Sequence, residues 1–392
     1  MFEIMDRDSQ EAIIKVIGVG GCGGNAVMHM IDKNVGGVEF ICANTDMQAL
    51  KKSQAKTVLQ IGTDITKGLG AGACPEIGRD AAIEDRDRIA ETIDGADMLF
   101  ITAGMGGGTG TGAAPIIAEI AKDMGILTVA VVTKPFAFEG KRTKVAMEGL
   151  EELSKHVDSL IIIPNEKLMQ VLGEDVPFLQ AFEAANDVLH NAVAGIAEII
   201  NCPGLVNVDF ADVRTVMSEM GMAMMGSALA TGPDRARIAA EQAVASPLLE
   251  DVNLANARGV LVNITASSSF KMKEYYDVMN TIKEFTAEDA TVIVGNVFDE
   301  TIGDGLRVTM VATGLNGISG RRQQKPELRV MTQVRDGTTN QPIYVGGATG
   351  SVSEDESPAV FSSNGRRAQI EAMKMSGVEE YDIPAFLRKQ AD

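Results

Sequence analysis

Apolar positions along the chain switch between compact β-rich runs and helical spacing, and the runs close on glycine or small polar residues. Ile13 to Val19, Val38 to Ala43, Thr57 to Ile61, Met98 to Thr102, Leu127 to Thr133 and Ser159 to Ile163 read as strands. Between them Ala26 to Lys33 and Ala113 to Met124 read as helices, with a short helix after Asp46 and a charged one after Pro75. This βαβα series predicts an α/β fold: a doubly wound parallel sheet taking ligand at the carboxyl ends of its strands. From Ala181 to Ile200 a long helix carries Phe182, Val188, Leu189, Val193, Ile196 and Ile200 near helical spacing, and Cys202-Pro203-Gly204 stops it. Val213, Val216, Met217 and Met220 predict another helix over Ala211 to Met225, its methionines serving as core filler. Gly259 to Thr265, Ala290 to Phe298 and Leu306 to Thr313 are β-rich around a helix at Lys273 to Thr286, which predicts a separate α+β domain.

After Gly314 the composition turns to Gly, Ser, Gln, Asn, Pro and mixed charge, which predicts a disordered linker with room for a short strand around Leu328 to Val334. As a flexible coil of about 60 residues it would span roughly 40 Å. Order returns at Tyr381 to Lys389, where Ile383, Phe386 and Leu387 fall at i, i+3 and i+4 and Pro384 fits a first helical turn. An apolar stripe on a tether reads as a docking peptide. The expected division is a flexible N-terminus (1–12), a nucleotide-binding domain (13–180), a central helix (181–203), an α+β domain (204–317), the linker (318–376) and the docking peptide (377–392).

Composition narrows the function. A net charge of −19 excludes the basic face that broad nucleic-acid binding needs. The four cysteines have no Cys-x-x-Cys spacing and the three histidines stand apart, which argues for reduced thiols in a cytoplasmic protein and against a Cys/His metal site. No apolar run approaches a membrane span, so a membrane role needs a partner.

The chemistry is concentrated in glycine. Gly104-Met105-Gly106-Gly107-Gly108-Thr109-Gly110-Thr111-Gly112 joins a strand to a helix, where bare backbone N–H groups, the Thr109 and Thr111 hydroxyls and a helix N-terminus can surround phosphate. It lacks the Gly-Lys-Ser/Thr of a P-loop, and the chain has no Asn-Lys-x-Asp. Gly18-x-Gly20-x-x-Gly23 alone reads as a dinucleotide fingerprint, with Asp46 placed as a ribose ligand, or as a packing turn. Loops 18–25, 44–46, 68–75 and 104–112 all follow strands, however, and four on one sheet edge suggest a cage around a triphosphate.

Together these residues resemble the FtsZ family, the bacterial relatives of tubulin. Gly106 to Gly112 is similar to the tubulin-family signature. Gly21 to Asn25, Asn44-Thr45-Asp46 and Gly70-Ala71-Gly72-Ala73 are similar to its other phosphate loops, and Asn207-Val208-Asp209-Phe210-Ala211-Asp212 to its synergy loop. The resemblance covers about residues 12–317 and the terminal peptide. It implies a tubulin-like fold that binds GTP and GDP, with the phosphates held by Gly20, Gly21, Cys22, Gly23, Gly24, Asn25, Asn44, Ala71, Gly72, Ala73, Gly104, Gly107, Gly108, Thr109, Gly110 and Thr111. Thr133, Glu139 and Arg142 would contact the ribose, with Glu139 and Arg142 one residue closer in sequence than the family pattern. Asn165, Asn186 and Asp187 would meet guanine, with Phe182 stacked on it. An Asp carboxylate can accept from both guanine N1–H and N2–H₂, which adenine cannot offer.

The resemblance also implies that Asn207, Asp209 and Asp212 act on the nucleotide of the next subunit, so that hydrolysis and head-to-tail filament growth are one event. Read without it, Asp209-x-x-Asp212 ahead of an apolar helix is an N-cap, and both roles can coexist. With no Walker lysine, Mg²⁺ is the natural complement, its ligands unidentified beyond Asp46 as a candidate. The tail peptide (Asp382, Ile383, Pro384, Phe386, Leu387, Arg388) would dock on membrane-anchoring and regulatory division proteins, the actin-like anchor among them. That would recruit a cytoplasmic protein to the inner face of the membrane at mid-cell. The rival classes are a nicotinamide or flavin oxidoreductase and a nucleotide-binding scaffold without catalysis.

Overall fold

The computed structural model describes residues 12–173, 176–201, 208–219, 221–249, 257–287, 290–315, 334–335 and 342–343. The chain divides into two units, 1–321 and 322–392. In the second, β11 (Val334–Arg335) pairs with β12 (Pro342–Ile343). The remainder of the expected linker strand, Asn207, the Cys202-Pro203-Gly204 stop and the docking peptide lie outside the described residues.

The first unit opens with β1 (Ile14–Val19), α1 (Gly20–Asp32), β2 (Val38–Asn44), α2 (Met47–Leu50), β3 (Thr57–Gln60), α3 (Thr63–Thr66), α4 (Pro75–Glu84) and α5 (Arg86–Ile93). It continues through β4 (Met98–Gly104), α6 (Thr109–Asp123), β5 (Leu127–Lys134), α7 (Lys141–Ser154), β6 (Ser159–Pro164), α8 (Asn165–Leu172) and α9 (Phe178–Asn201). It ends with α10 (Phe210–Met217), β7 (Gly221–Thr231), α11 (Arg235–Val244), β8 (Gly259–Ala266), α12 (Met272–Phe285), β9 (Thr291–Phe298) and β10 (Gly305–Leu315). Ten strands form one sheet in the order β3-β2-β1-β4-β5-β6-β7-β10-β8-β9. The run from β3 to β6 is parallel, and β1 sits between β2 and β4, so the strand order reverses there. A reversal of this kind opens a crevice at the carboxyl ends of the strands.

Period-two alternation sends neighbouring residues to opposite faces. Val16, Phe100, Val129 and Ile161 pack with Val27 and Met30 of α1 and with Leu189, Val193 and Ile196 of α9. Ile17, Leu99, Ile101 and Val132 pack on the other face with Ala82, Ile89, Ile117 and Leu150. Each such fully buried aliphatic or aromatic side chain contributes about 1.5–3 kcal/mol of transfer free energy. A third cluster joins β8 and β10 to α11 and α12 through Val262, Ile264, Val308, Met310, Ala239 and Ile282.

Three sequence expectations change. The second set of strands extends the first sheet, because β7 pairs in parallel with β6 from Ser159↔Gly221 to Ile161↔Ala223. The helix expected to reach Met225 stops at Met217, and Met222, Met224 and Met225 lie in β7, paired with β10. Their local preference for helix yields to a sheet that offers partners on both sides. The methionines are core all the same: Met217, Met224 and Met225 are buried. Helix α11 was not anticipated, although Ala236, Ala239, Ala240 and Ala243 mark its buried stripe. Alanine lets it press on the sheet so closely that a Cβ on Gly226 would lie 2.0 Å from the Ala243 carbonyl oxygen. Helices α1 and α6 also begin at Gly20 and Thr109, so the glycine loops supply their first turns instead of preceding them.

Candidate functional site

The carboxyl ends of β1 and β4 place the starts of α1 and α6 side by side, and neither helix has a side-chain cap. An uncapped first turn leaves N–H groups free for an anion. A Cβ on Gly20 would be 3.0 Å from the Gly110 nitrogen, and one on Gly104 would be 2.6 Å from Cys22 Cβ.

The glycines fall into two kinds. At Gly18, Gly23, Gly108 and Gly112 a Cβ would meet protein: 2.4 Å from the Gly23 oxygen, 2.3 Å from the Thr102 oxygen, 2.9 Å from Ala71 Cβ and 1.9 Å from the Pro75 oxygen, respectively. At Gly21, Gly24 and Gly107 it would meet nothing within 4 Å. The first kind is needed for packing, and the second lines open space. Gly21 and Gly24 border a cleft of about 420 Å³ together with Gly20, Asn25, Asn44 and Asn186.

The third loop lies against the fourth. Gly70, Gly72 and Ala73 adopt left-handed backbone at φ 88°, 59° and 58°, which turns the chain so that Ala71 and Cys74 contact Gly108. Thr109 Oγ1 and Thr45 Oγ1 share a hydrogen bond of 2.7 Å, tying the second loop to α6. Thr111 is buried, and its hydroxyl accepts from the Gly106 N–H at 2.8 Å, so it braces the loop from below. Asn44 Oδ1 accepts from the Asp46 N–H, while Asp46 caps α2 by accepting from the Gln48 N–H at 2.8 Å.

Arg142 reaches the phosphate loop despite its tighter spacing. Helix α7 begins at Lys141, and from its first turn Arg142 donates through Nε to the Gly106 carbonyl at 3.3 Å and through Nη1 to Glu139 Oε2. Glu139 Oε1 accepts from the Phe136 N–H, which holds the carboxylate in place. Thr133 is buried beneath them, its hydroxyl 3.6 Å from Cys22 Sγ. Burial pushes the Cys22 thiol above its ordinary range, against the pull of the Thr133 hydrogen bond and the Arg142 charge.

Asn165 opens α8, and its buried Oδ1 has no hydrogen-bond partner among the described residues. A buried amide oxygen left unpaired costs about 1–3 kcal/mol, which a ligand donor would recover. Phe182 packs edge-on to Phe136 at 5.7 Å, and Phe136 stacks on Phe138 at 5.1 Å. Asp187 turns toward α1: its Oδ1 accepts from His29 Nε2 at 2.8 Å and lies 3.8 Å from Lys33 Nζ. His29, one of the three isolated histidines, is not among the site residues expected from sequence, although it stands one helical turn after Asn25 on the same face.

The acidic pair is elsewhere. Asp209 is the N-cap of α10, accepting from the Asp212 N–H at 2.8 Å, and the Asp212 carboxylate is exposed in the first turn. Arg214 of the same helix donates to the Gly125 carbonyl just before β5 begins, and the Val216 carbonyl accepts from Thr313 beside Gly259, the first residue of β8. Helix α10 therefore sits at the amino ends of the parallel strands, with the phosphate loops at the carboxyl ends. The 24-residue α9, about 36 Å long, runs between the two edges. Among the described residues no group of three or more His, Cys, Asp or Glu side chains is placed to hold a metal ion, and no helix is long and apolar enough to cross a membrane.

A switch-point crevice with two uncapped glycine helix starts, and a long helix leading from it to an acidic loop, defines a tubulin-type GTPase. Residues 13–173 match the Tubulin/FtsZ family GTPase domain and residues 221–316 the FtsZ family C-terminal domain. The chain belongs to the FtsZ family, the cell-division GTPases of the tubulin group. It is 57% identical to the cell division protein FtsZ of Pseudomonas aeruginosa and 55% identical to that of Coxiella burnetii, covering 100% and 99% of each partner and of itself. Among solved structures, an FtsZ dimer from M. jannaschii superposes with a TM-score of 0.74 at 44% identity, over 77% of this chain and 88% of that one. The GTPγS-bound CetZ2 protofilament of Haloferax volcanii shares the fold at 19% identity and a TM-score of 0.65, over 78% and 93%. The dinucleotide reading of Gly18-x-Gly20-x-x-Gly23 falls with this membership, and Gly18 and Gly23 serve as packing glycines.

Proposed function

We propose that each subunit grips GTP at the carboxyl edge of its sheet and that the next subunit in a head-to-tail filament supplies Asp209 and Asp212 to cut it. The observation that carries this is the placement of the acidic pair and the phosphate loops at opposite sheet edges. In this reading the first turns of α1 and α6 surround the phosphates, aided by the 71–73 loop and Asn44. Arg142 and Glu139, with Thr133, hold the ribose. Asn165 and Asn186 meet the guanine edge beside Phe182, and Asp187, with Oδ1 held by His29, offers its other oxygen.

Asp212 orients the attacking water and accepts its proton, while Asp209 fixes the helix turn that presents it. Each helix terminus offsets only about 0.3–1 kcal/mol of phosphate charge, so Mg²⁺ is a fitting complement. The described residues provide no protein cage for it, so the phosphate oxygens and water would be its principal ligands. A contact between unlike edges does not close on itself and propagates as a filament. The units 13–180, 181–203 and 204–317 then act as nucleotide grip, connecting helix and activating domain. The 377–392 peptide, at the end of the 318–376 linker, docks on membrane-anchoring and regulatory division proteins. This brings a cytoplasmic filament to the membrane indirectly, at mid-cell.

The test is complementation between two inactive variants. Asp212→Ala keeps the grip and loses the cutter, and Gly107→Val does the reverse. Each alone should turn over little GTP, and a mixture should recover activity, because an intact acidic pair can then face an intact grip. Turnover per subunit of the unmodified chain should also rise steeply with concentration. A silent mixture, or dilute monomers as fast as crowded ones, would refute the shared site.

A further inference from the structure

The two carboxylates of the cutter ride on a short support. Helix α10 has eight residues and is about 12 Å long. Both acids stand at its start, Asp209 as the cap and Asp212 in the first turn. The far half of the helix is fastened from inside: Val216 and Met217 are buried, and the Val216 carbonyl accepts from the Thr313 hydroxyl at 2.8 Å. The near half has Val213 in the core. Among the described residues one side-chain hydrogen bond ties that half to another element, from Arg214 Nη2 to the Gly125 carbonyl at 3.1 Å. Gly125 is a firm anchor. It follows α6 in left-handed backbone at φ 73°, its N–H donates to the Lys122 carbonyl, and the Ile126 N–H donates to the Ala121 carbonyl, both at 3.0 Å. These two bonds close a Schellman turn and leave the Gly125 carbonyl for a donor outside the helix.

We propose that Arg214 is a positioning residue for hydrolysis: its bond to Gly125 sets the rotation of the first turn of α10 and so aims the Asp212 carboxylate at the neighbour's γ-phosphate. This rests on the shared-site reading. Two observations single Arg214 out. The first is direction. Residues two apart on a helix point about 200° apart, so with Arg214 drawn to Gly125 the Asp212 carboxylate is turned to the opposite side, where it is exposed. The second is where the guanidinium is engaged. Among the described residues it donates to a carbonyl and to no carboxylate, so it steers Asp212 without taking up its charge. Neutralising that charge would disable a general base, and misplacing it by about 1 Å can cost 10²-fold in rate. With Val213 still buried, losing the Arg214 bond alone should cost about ten-fold.

The experiment uses two full-length variants. Arg214→Met keeps a long stem and a good helix former without a donor, and Arg214→Lys restores one donor. Arg214→Met should turn over GTP about ten-fold more slowly, with GTP affinity by calorimetry unchanged, and Arg214→Lys should regain most of the loss. Mixing then locates the defect. Gly107→Val subunits bring an intact cutter, so adding them to Arg214→Met should raise turnover several-fold. Asp212→Ala subunits bring none and should leave it low. Parent-like turnover by Arg214→Met, no rescue by lysine, no recovery with Gly107→Val, or equal recovery with both partners would overturn the role. The mixture of Asp212→Ala with Gly107→Val is the control. If it recovers while Arg214→Met is unimpaired, the Arg214 assignment alone falls; if it stays silent, the shared site falls and the assignment with it.

Discussion

The two edges of the sheet solve opposite problems with opposite materials. At the carboxyl edge the working groups belong to the backbone: the first turns of α1 and α6 are left uncapped, and Gly21, Gly24 and Gly107 keep side chains out of the space in front of them. At the amino edge the working groups are side chains, and the helix that bears them is capped by one of them, Asp209. A grip made of backbone is damaged by adding atoms, whereas a cutter made of carboxylates is damaged by removing charge. The two edges should therefore fail differently.

The largest effect is expected at the amino edge. Asp212→Ala should lower GTP turnover by about 10²–10⁴-fold, the usual worth of a positioned general base, while GTP affinity stays the same by calorimetry. A variant that binds and turns over normally would remove Asp212 from the chemistry. At the carboxyl edge the two kinds of glycine separate cleanly. Gly107→Val puts its side chain where no protein atom lies within 4 Å of the new Cβ. It should abolish GTP binding and leave unfolding within about 0.5 kcal/mol of the parent. Gly112→Ala forces a Cβ to 1.9 Å from the Pro75 oxygen and should destabilise the fold by about 1–3 kcal/mol through overpacking. Denaturation and binding curves on the pair give the answer. A folded, tightly binding Gly107→Val would show that the open glycines do not face the nucleotide.

The carboxyl edge was far more legible in the sequence than the amino edge. Each of the four loops announces itself locally, as a β-rich run ending in glycines or small polar residues, so the strands of the first domain and the loops that follow them could be read from neighbours in the chain. Three features needed the third dimension. Met222, Met224 and Met225 look helical by composition, and only the pairing of β7 with β6 and β10 makes them strand. The glycines look alike in sequence, yet Gly23 and Gly107 differ wholly in what surrounds them. The Asp187 contact with His29 joins residues 158 positions apart on α1 and α9, and no local pattern encodes it. With the tight Glu139–Arg142 spacing, Arg142 still reaches the Gly106 carbonyl, because α7 starts at Lys141.

The smallest and most discriminating effect concerns Asp209, where the sequence permitted two roles. As the N-cap of α10 it accepts the Asp212 N–H, so Asp209→Ala should destabilise the chain by about 1 kcal/mol. Asn caps as well as Asp, so Asp209→Asn should restore that stability to within a few tenths of a kcal/mol. Turnover then separates cap from charge. If Asp209 serves only to hold the turn that aims Asp212, the Asn variant recovers activity along with stability. If its carboxylate also faces the neighbouring subunit's γ-phosphate, the Asn variant is stable and slow. We expect the second outcome, with turnover down by about ten-fold, because Asp209 is exposed and a buried scaffold is not needed to explain its cap. Full recovery by Asn would leave Asp212 as the single acid at the interface and reduce Asp209 to the residue that points it.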